Sequence, residues 1–278
     1  MLYRSTLNES GNRVIYCGKA TILLSSILFL SSCAMQNPSL DLLPADPLLQ
    51  PNSIARWEPS VNLDVRRPQL IVLHHTEMAS AAAALDTLKT GNPYGPVSAH
   101  YLIGSDGALY QLVPEGARAW HAGLSRWAGR ADLNSSSIGI ELDNDGQAEF
   151  SQPQMRALLV LLADLCARLK IEPRQVIAHG DIAPVRKSDP SAKFPWASLA
   201  SAGFGLWPSR EFNLLLAPPA GFDPWLALAL IGYDLRDRPA AARAFRRHYF
   251  GVEGAIELEF TEIERAVLVD MQAQILQN

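Results

Sequence analysis

Leu70-Ile71-Val72-Leu73-His74 constrains the fold of this chain more than any other stretch: a short, apolar, β-branched run reads as a buried strand, and this one ends on a histidine. A second short strand, Gln175 to Ala178, delivers His179. His100-Tyr101-Leu102-Ile103 and Leu109-Tyr110-Gln111-Leu112-Val113 flank Gly104-Ser105-Asp106-Gly107, which has the turn chemistry of a β-hairpin. Ser136 to Leu142 is a further strand, with Ile138, Ile140 and Leu142 on one face and Gly139 and Glu141 on the other.

Helical patterns alternate with these strands. Ala79 to Lys89 contains four consecutive alanines, the strongest helix former. Ser151 and Gln154 make a capping-box pair ahead of a helix whose apolar residues Met155, Leu158, Leu159, Leu162, Cys166 and Leu169 recur at helical spacing. Pro208, Pro218, Pro219 and Gly221 interrupt the pattern, and three short helices are expected beyond them, over Pro224 to Ile231, Pro239 to Tyr249 and Thr261 to Leu276. The expected fold is therefore α/β, a central mixed β-sheet flanked by helices, with a small C-terminal three-helix domain. The expected boundaries are 70–208 for the main domain, 209–222 for a linker and 223–278 for the helices.

With 48% hydrophobic residues, and 24 basic against 28 acidic groups giving a net charge of only −4, disorder throughout is excluded, and the lack of a basic excess argues against nucleic acid as a partner. Arg4, Arg13 and Lys19 precede the apolar run Ala20 to Leu30, which falls short of the roughly 20 residues that cross a bilayer as a helix and fits a signal peptide over 1–32. Leu30-Ser31-Ser32-Cys33 resembles the bacterial lipobox, which implies acylation of Cys33; the alternative is a cysteine that happens to follow a secretory run. Ala34 in place of Asp resembles lipoproteins sent to the outer membrane. The proline-rich segment 33–69 then reads as a tether. Cys17 would leave with the signal and Cys33 would carry lipid, so Cys166 remains alone and no internal disulfide is expected.

Histidines 74, 75, 100, 121 and 179 fall within one stretch and only His248 lies outside it. Each alone reads as readily as a satisfied core or rim residue. At the mouth of a sheet, however, imidazoles from different strands can hold a divalent metal. The segment His179-Gly180-Asp181-Ile182-Ala183-Pro184-Val185-Arg186-Lys187-Ser188-Asp189-Pro190 closely resembles the zinc-ligand loop of the type 2 N-acetylmuramoyl-L-alanine amidases, the family that includes phage amidases and peptidoglycan recognition proteins. The resemblance implies that His179 and Asp189 are zinc ligands and that Lys187 is catalytic. Ile71-Val72-Leu73-His74-His75-Thr76 resembles the family's first strand and implies His74 as the third ligand, with His75 as the rival one register step away. Ser98-Ala99-His100-Tyr101, Ala119-Trp120-His121-Ala122-Gly123 and Ser137-Ile138-Gly139-Ile140-Glu141 continue the match, the last implying Glu141 as the catalytic glutamate.

Two imidazoles and one carboxylate leave zinc an open position for water, the arrangement of a catalytic site. Glu141 would take the proton of that water and Lys187 would stabilise the oxyanion, although each alone could be a rim or surface charge. His121, Trp120 and His100 are candidates for the substrate groove; Trp120 could equally be core. The implied reaction is hydrolysis of the amide between N-acetylmuramic acid and L-alanine in peptidoglycan or muropeptides, by a monomer held at the outer membrane through its lipid and facing the periplasm. The C-terminal segment resembles the three-helix peptidoglycan-binding domain of wall hydrolases; a helical cap is the alternative. Two rival functions are a peptidoglycan-binding protein without catalysis and a zinc peptidase acting on stem peptides, the latter without any HExxH motif.

Overall fold

The computed structural model describes residues 50–63, 66–254 and 257–277, together with three short strands nearer the N-terminus, β1 (Ser5–Leu7), β2 (Arg13–Cys17) and β3 (Ala20–Thr21). These three pair antiparallel in the order β1-β2-β3 within a unit that ends at Leu43. Apart from them, the expected signal segment 1–32 and Cys33 lie outside the described residues. Among the described residues no helix is long and apolar enough to cross a membrane.

The unit from Pro44 onward is built on a mixed six-stranded sheet. Its strands are β4 (Arg56–Trp57), β5 (Leu70–His75), β6 (Tyr101–Ile103), β7 (Leu109–Gln111), β10 (Ser137–Leu142) and β11 (Val176–Ala178), in the order β11-β5-β10-β6-β7-β4. Only the β6–β7 hairpin is antiparallel, joined through the Gly104–Gly107 turn. Separately, β8 (Arg126–Trp127) and β9 (Arg130–Ala131) form a two-stranded ribbon.

Every residue of β5 is buried, because both faces of the strand are covered. Alternation sends Ile71 and Leu73 to one face, where they join Ile138, Ile140 and Leu142 beneath α2 (Gln152–Leu169). Leu70 and Val72 point the other way and join Ile177 in a second cluster. Continuing that alternation places His74 on the second face and His75 on the first. In the β10 register Glu141 lies opposite His74, so both belong to the second face.

The helices form where propensity and capping agree. In α1 (Ala81–Thr90) the Ser80 hydroxyl accepts the Ala83 N–H at 3.3 Å. At α2 the expected capping box is only half made. Ser151 accepts the Gln154 N–H, but the Gln154 side chain donates to the carbonyls of Ile103 and Asp143 at 2.9 and 3.1 Å, tying the helix start to the ends of β6 and β10. Its buried stripe also differs from expectation: Leu161 and Leu165 are buried, while Leu159 and Leu169 are only partly so.

Short helices α3 (His179–Ile182) and α4 (Trp196–Ser201) follow β11. The last three are α5 (Pro224–Ile231), α6 (Arg238–Phe250) and α7 (Glu262–Leu276), capped by Asp223, Asp237 and Thr261, the last in a full capping box with Glu264. They lie on the second face of the sheet. Ala227, Leu228, Phe245, Val267, Leu268 and Met271 share one apolar cluster with Leu70, Val72 and Ile177, and Phe212 and Leu215 of the expected linker pack against it.

Candidate metal centre and active site

The carboxyl ends of β5, β10 and β11 open into one cavity, the usual place for a site in an open α/β sheet. It measures about 580 Å³ and is lined by Trp120, His121, Glu141, Lys187 and Asp189 among others. Parallel pairing brings His74, at the end of β5, beside the end of β11, where the chain enters α3 with His179 as its first residue. The loop after α3 returns Asp189 to the same point, and the Gly180 N–H donates to the Asp189 carbonyl at 2.8 Å to close it.

Three donor atoms converge there. His74 Nδ1 lies 2.9 Å from His179 Nδ1, and Asp189 Oδ2 lies 3.2 Å from the first and 3.0 Å from the second. All three residues are buried. Among the described residues this is the one group of three or more such side chains close enough to hold a metal ion. His75 takes no part: its Nδ1 accepts the Ser191 N–H at 3.3 Å on the opposite face.

Each imidazole is oriented by its far nitrogen. His179 Nε2 donates to the Ala122 carbonyl at 3.2 Å, which leaves its Nδ1 lone pair facing His74 and Asp189. His74 Nε2 lies 3.0 Å from His121 Nδ1, His121 Nε2 lies 3.2 Å from Ser137 Oγ, and that hydroxyl donates to the Leu133 carbonyl at 2.5 Å. Followed back from the carbonyl, which can only accept, the chain assigns N–H to Nε2 of both histidines and a lone pair to His74 Nδ1. The donor set therefore fits a zinc ion: two neutral imidazoles and one carboxylate, with their orienting partners in place.

Electrostatics agree with this assignment. Burial, helped by neighbouring His179, lowers the His74 pKa to about 4, so its ring is neutral at pH 7. Burial acts to raise the Asp189 carboxyl, but His179 and His74 outweigh it and hold the group well below the usual carboxylate range. Glu141 goes the other way. Burial and then the Asp189 charge push it up to about 8, against the pull of Lys187. Its Oε2 is buried without a hydrogen-bond partner, so that oxygen is left for a group that enters the cavity.

The other expected residues divide. Trp120 is half-buried and lines the cavity. His121 also reaches it, but both ring nitrogens are engaged, so it orients His74 instead of being free for substrate. His100 departs from expectation: it is fully buried beside the site and absent from the cavity wall. Its Nδ1 accepts the Gly139 N–H at 2.9 Å, and its ring lies against Arg66 and the Ala117 carbonyl. A role as an internal prop follows from the geometry, since a wholly enclosed ring cannot touch substrate.

Two features of the site escape sequence reading. Gly139 is a site residue by virtue of having no side chain, because a Cβ there would stand 2.4 Å from the His121 ring. Arg186 donates to the Ala122 carbonyl, the same acceptor that orients His179, and to the Leu124 carbonyl at 2.9 Å. Such pairings between distant segments leave no local signal.

Comparison with known proteins gives concordant results. A family model described as N-acetylmuramoyl-L-alanine amidase matches residues 64–192. The chain is 37% identical over 214 residues to the N-acetylmuramoyl-L-alanine amidase AmiD of Escherichia coli, covering 66% of this chain and 75% of that one. It is 36% identical over 162 residues to the 1,6-anhydro-N-acetylmuramyl-L-alanine amidase AmpD of Citrobacter freundii, covering 51% and 87%. The solved structure of AmiD with the substrate anhydro-N-acetylmuramic acid-L-Ala-D-gamma-Glu-L-Lys superimposes with a TM-score of 0.64 at 31% identity, over 82% of this chain and 94% of that one.

Proposed function

Because the chain belongs to the N-acetylmuramoyl-L-alanine amidase family, we propose that it hydrolyses the amide bond between N-acetylmuramic acid and L-alanine in peptidoglycan or its muropeptides, as a zinc enzyme. One observation carries this reading: the lone pairs of His74 and His179 and the Asp189 carboxylate meet at a point beside Glu141 in an open cavity.

Zinc held by His74, His179 and Asp189 would polarise the scissile carbonyl and lower the pKa of water to about 7. The protein supplies the rest. Glu141 takes a proton from the attacking water as its oxygen bonds to the lactyl carbonyl carbon. Lys187 stabilises the negative charge that develops on the carbonyl oxygen. Glu141 then returns the proton to the alanine nitrogen as the C–N bond breaks, leaving a free stem peptide and a lactyl carboxylic acid that loses its remaining proton to solvent or to the released amine. Burial and the Asp189 charge raise the Glu141 carboxyl in the metal-free fold, and a cation held beside it would draw it back toward the ionised form that accepts a proton. Trp120 offers an aromatic wall for the sugar or peptide.

The ligands and both catalytic groups come from one chain, which supports action as a monomer. The lipobox-like Leu30-Ser31-Ser32-Cys33 supports attachment to the outer membrane through Cys33, facing the periplasm where the cell wall lies.

Incubation of purified protein with muropeptides, followed by mass spectrometry, tests the reaction. Free stem peptide with an N-terminal L-alanine is expected. It should vanish on chelation, return with zinc, and fall by about 10²- to 10⁴-fold in rate in Glu141→Ala. Cleavage between amino acids would make the protein a peptidase, and intact muropeptide that remains bound would make it a recognition module.

A further inference from the structure

Asp181 lies two residues after His179, is 1% exposed, and belongs to none of the groups assigned above. A carboxylate enclosed to that degree needs donors on its oxygens. It has three: the Ala178 N–H and His248 Nδ1 reach Oδ2 at 3.0 and 2.6 Å, and the Tyr233 hydroxyl donates to Oδ1 at 2.8 Å. Ala178 immediately precedes His179, so the same carboxylate grips the backbone that carries the ligand. The other two donors come from the C-terminal region, Tyr233 just after α5 and His248 within α6.

His248 is itself clamped. Its ring stacks on Trp196 at 3.7 Å and on Tyr249 at 4.3 Å, and its Nε2 is buried without a hydrogen-bond partner, so the bond to Asp181 is the polar anchor of the ring. Its neighbour Arg247 backs the ligand loop: a Cβ on Gly180 would meet Arg247 Nη1 at 3.1 Å and the carbonyls of Asp189 and Lys187 at 3.5 Å. Gly180, which donates to the Asp189 carbonyl, ties the backbone of His179 to that of Asp189, and Arg247 of α6 backs the pair.

We propose that Tyr233 and His248 are positioning residues for the metal centre: by fixing Asp181 they hold the backbone of His179, and through Gly180 that of Asp189, in ligating geometry. The C-terminal helices thereby form part of the metal centre in addition to any contact they make with the wall. This rests on the zinc reading above.

The test measures zinc dissociation constants by chelator competition for the full chain and for Tyr233→Phe, His248→Phe and Leu268→Ala. Tyr233→Phe removes one hydroxyl, and His248→Phe keeps the aromatic stack while removing the donor. Leu268 is fully buried in the C-terminal helices but has no part in the Asp181 network, so its truncation serves as a control for general destabilisation. Either phenylalanine variant should weaken zinc binding by about 10- to 100-fold. Excess zinc should then restore turnover with KM unchanged, and Leu268→Ala should bind zinc as the parent does. Parent-like zinc affinity in both phenylalanine variants overturns the proposal, and so does an equal loss in Leu268→Ala. Failure of the parent itself to bind one zinc would instead remove the metal reading, and this inference with it.

Discussion

The charge of Glu141 depends strongly on where the fold puts it. In the folded chain without metal its pKa is raised to about 8, against 4.5 for a solvated glutamate. Between those values the folded state keeps a proton that the unfolded chain has lost. The stability this group contributes is thus fully present below pH 4.5 and is lost as pH rises toward 8. In chelator-treated protein, Glu141→Gln should therefore raise Tm relative to the parent at pH 8 and by much less at pH 5. A difference that does not change with pH would contradict the burial assigned to this carboxyl. Gly139 makes the complementary case. Its missing Cβ leaves room for the His121 ring, so Gly139→Ala should displace His121, loosen His74 and lower zinc affinity by about 10- to 100-fold, read by chelator titration. At this scale the sequence was partly legible. His74, Glu141 and His179 stand out as motif residues at strand ends and Lys187 and Asp189 in the loop motif that follows, and register alone separates His74 from His75. The orienting part of His121 and the enclosure of His100 were not legible, because each depends on partners such as Ser137 or Gly139 whose identity carries no chemical signal.

Among the elements, β5 and β10 were legible because short apolar runs bounded by polar residues leave few other readings, and their parallel register alone sets Glu141 opposite His74. For α2 the helix itself is evident from its periodicity, but its rotation is not. Leucines occupy 158, 159, 161, 162, 165 and 169, so several apolar stripes fit the sequence and only contact with the sheet selects one. Leu161 is fully buried and Leu159 only partly. Leu161→Ala should cost about 2–5 kcal/mol in denaturant unfolding, as truncations in packed cores do, and Leu159→Ala distinctly less. The reverse order would mean that the helix is turned about its axis. Gln154 shows the same limit: capping chemistry was readable in Ser151, but the glutamine side chain answers to the nearby carbonyls of Ile103 and Asp143.

For the whole molecule from residue 44 onward, the decisive feature is that the sheet's second face carries both the candidate metal site and the C-terminal helices. Leu70, Val72 and Ile177 lie under α5, α6 and α7, while one pleat further along β5 His74 enters the site. The sequence shows the order of the motifs and three helices after the prolines at 218 and 219. It does not show that those helices share the core of the sheet, because apolar residues advertise burial without naming the surface they meet. His74 Nδ1, His179 Nδ1 and Asp189 Oδ2 lie close enough to hold a single cation, on which the proposed chemistry depends. The measurement that addresses it most directly is anomalous X-ray scattering at the zinc edge from crystals grown with the metal. One strong peak is expected about 2.0–2.2 Å from each of those three atoms. A peak centred on other residues, or none at this position at full zinc occupancy of the protein, would contradict it.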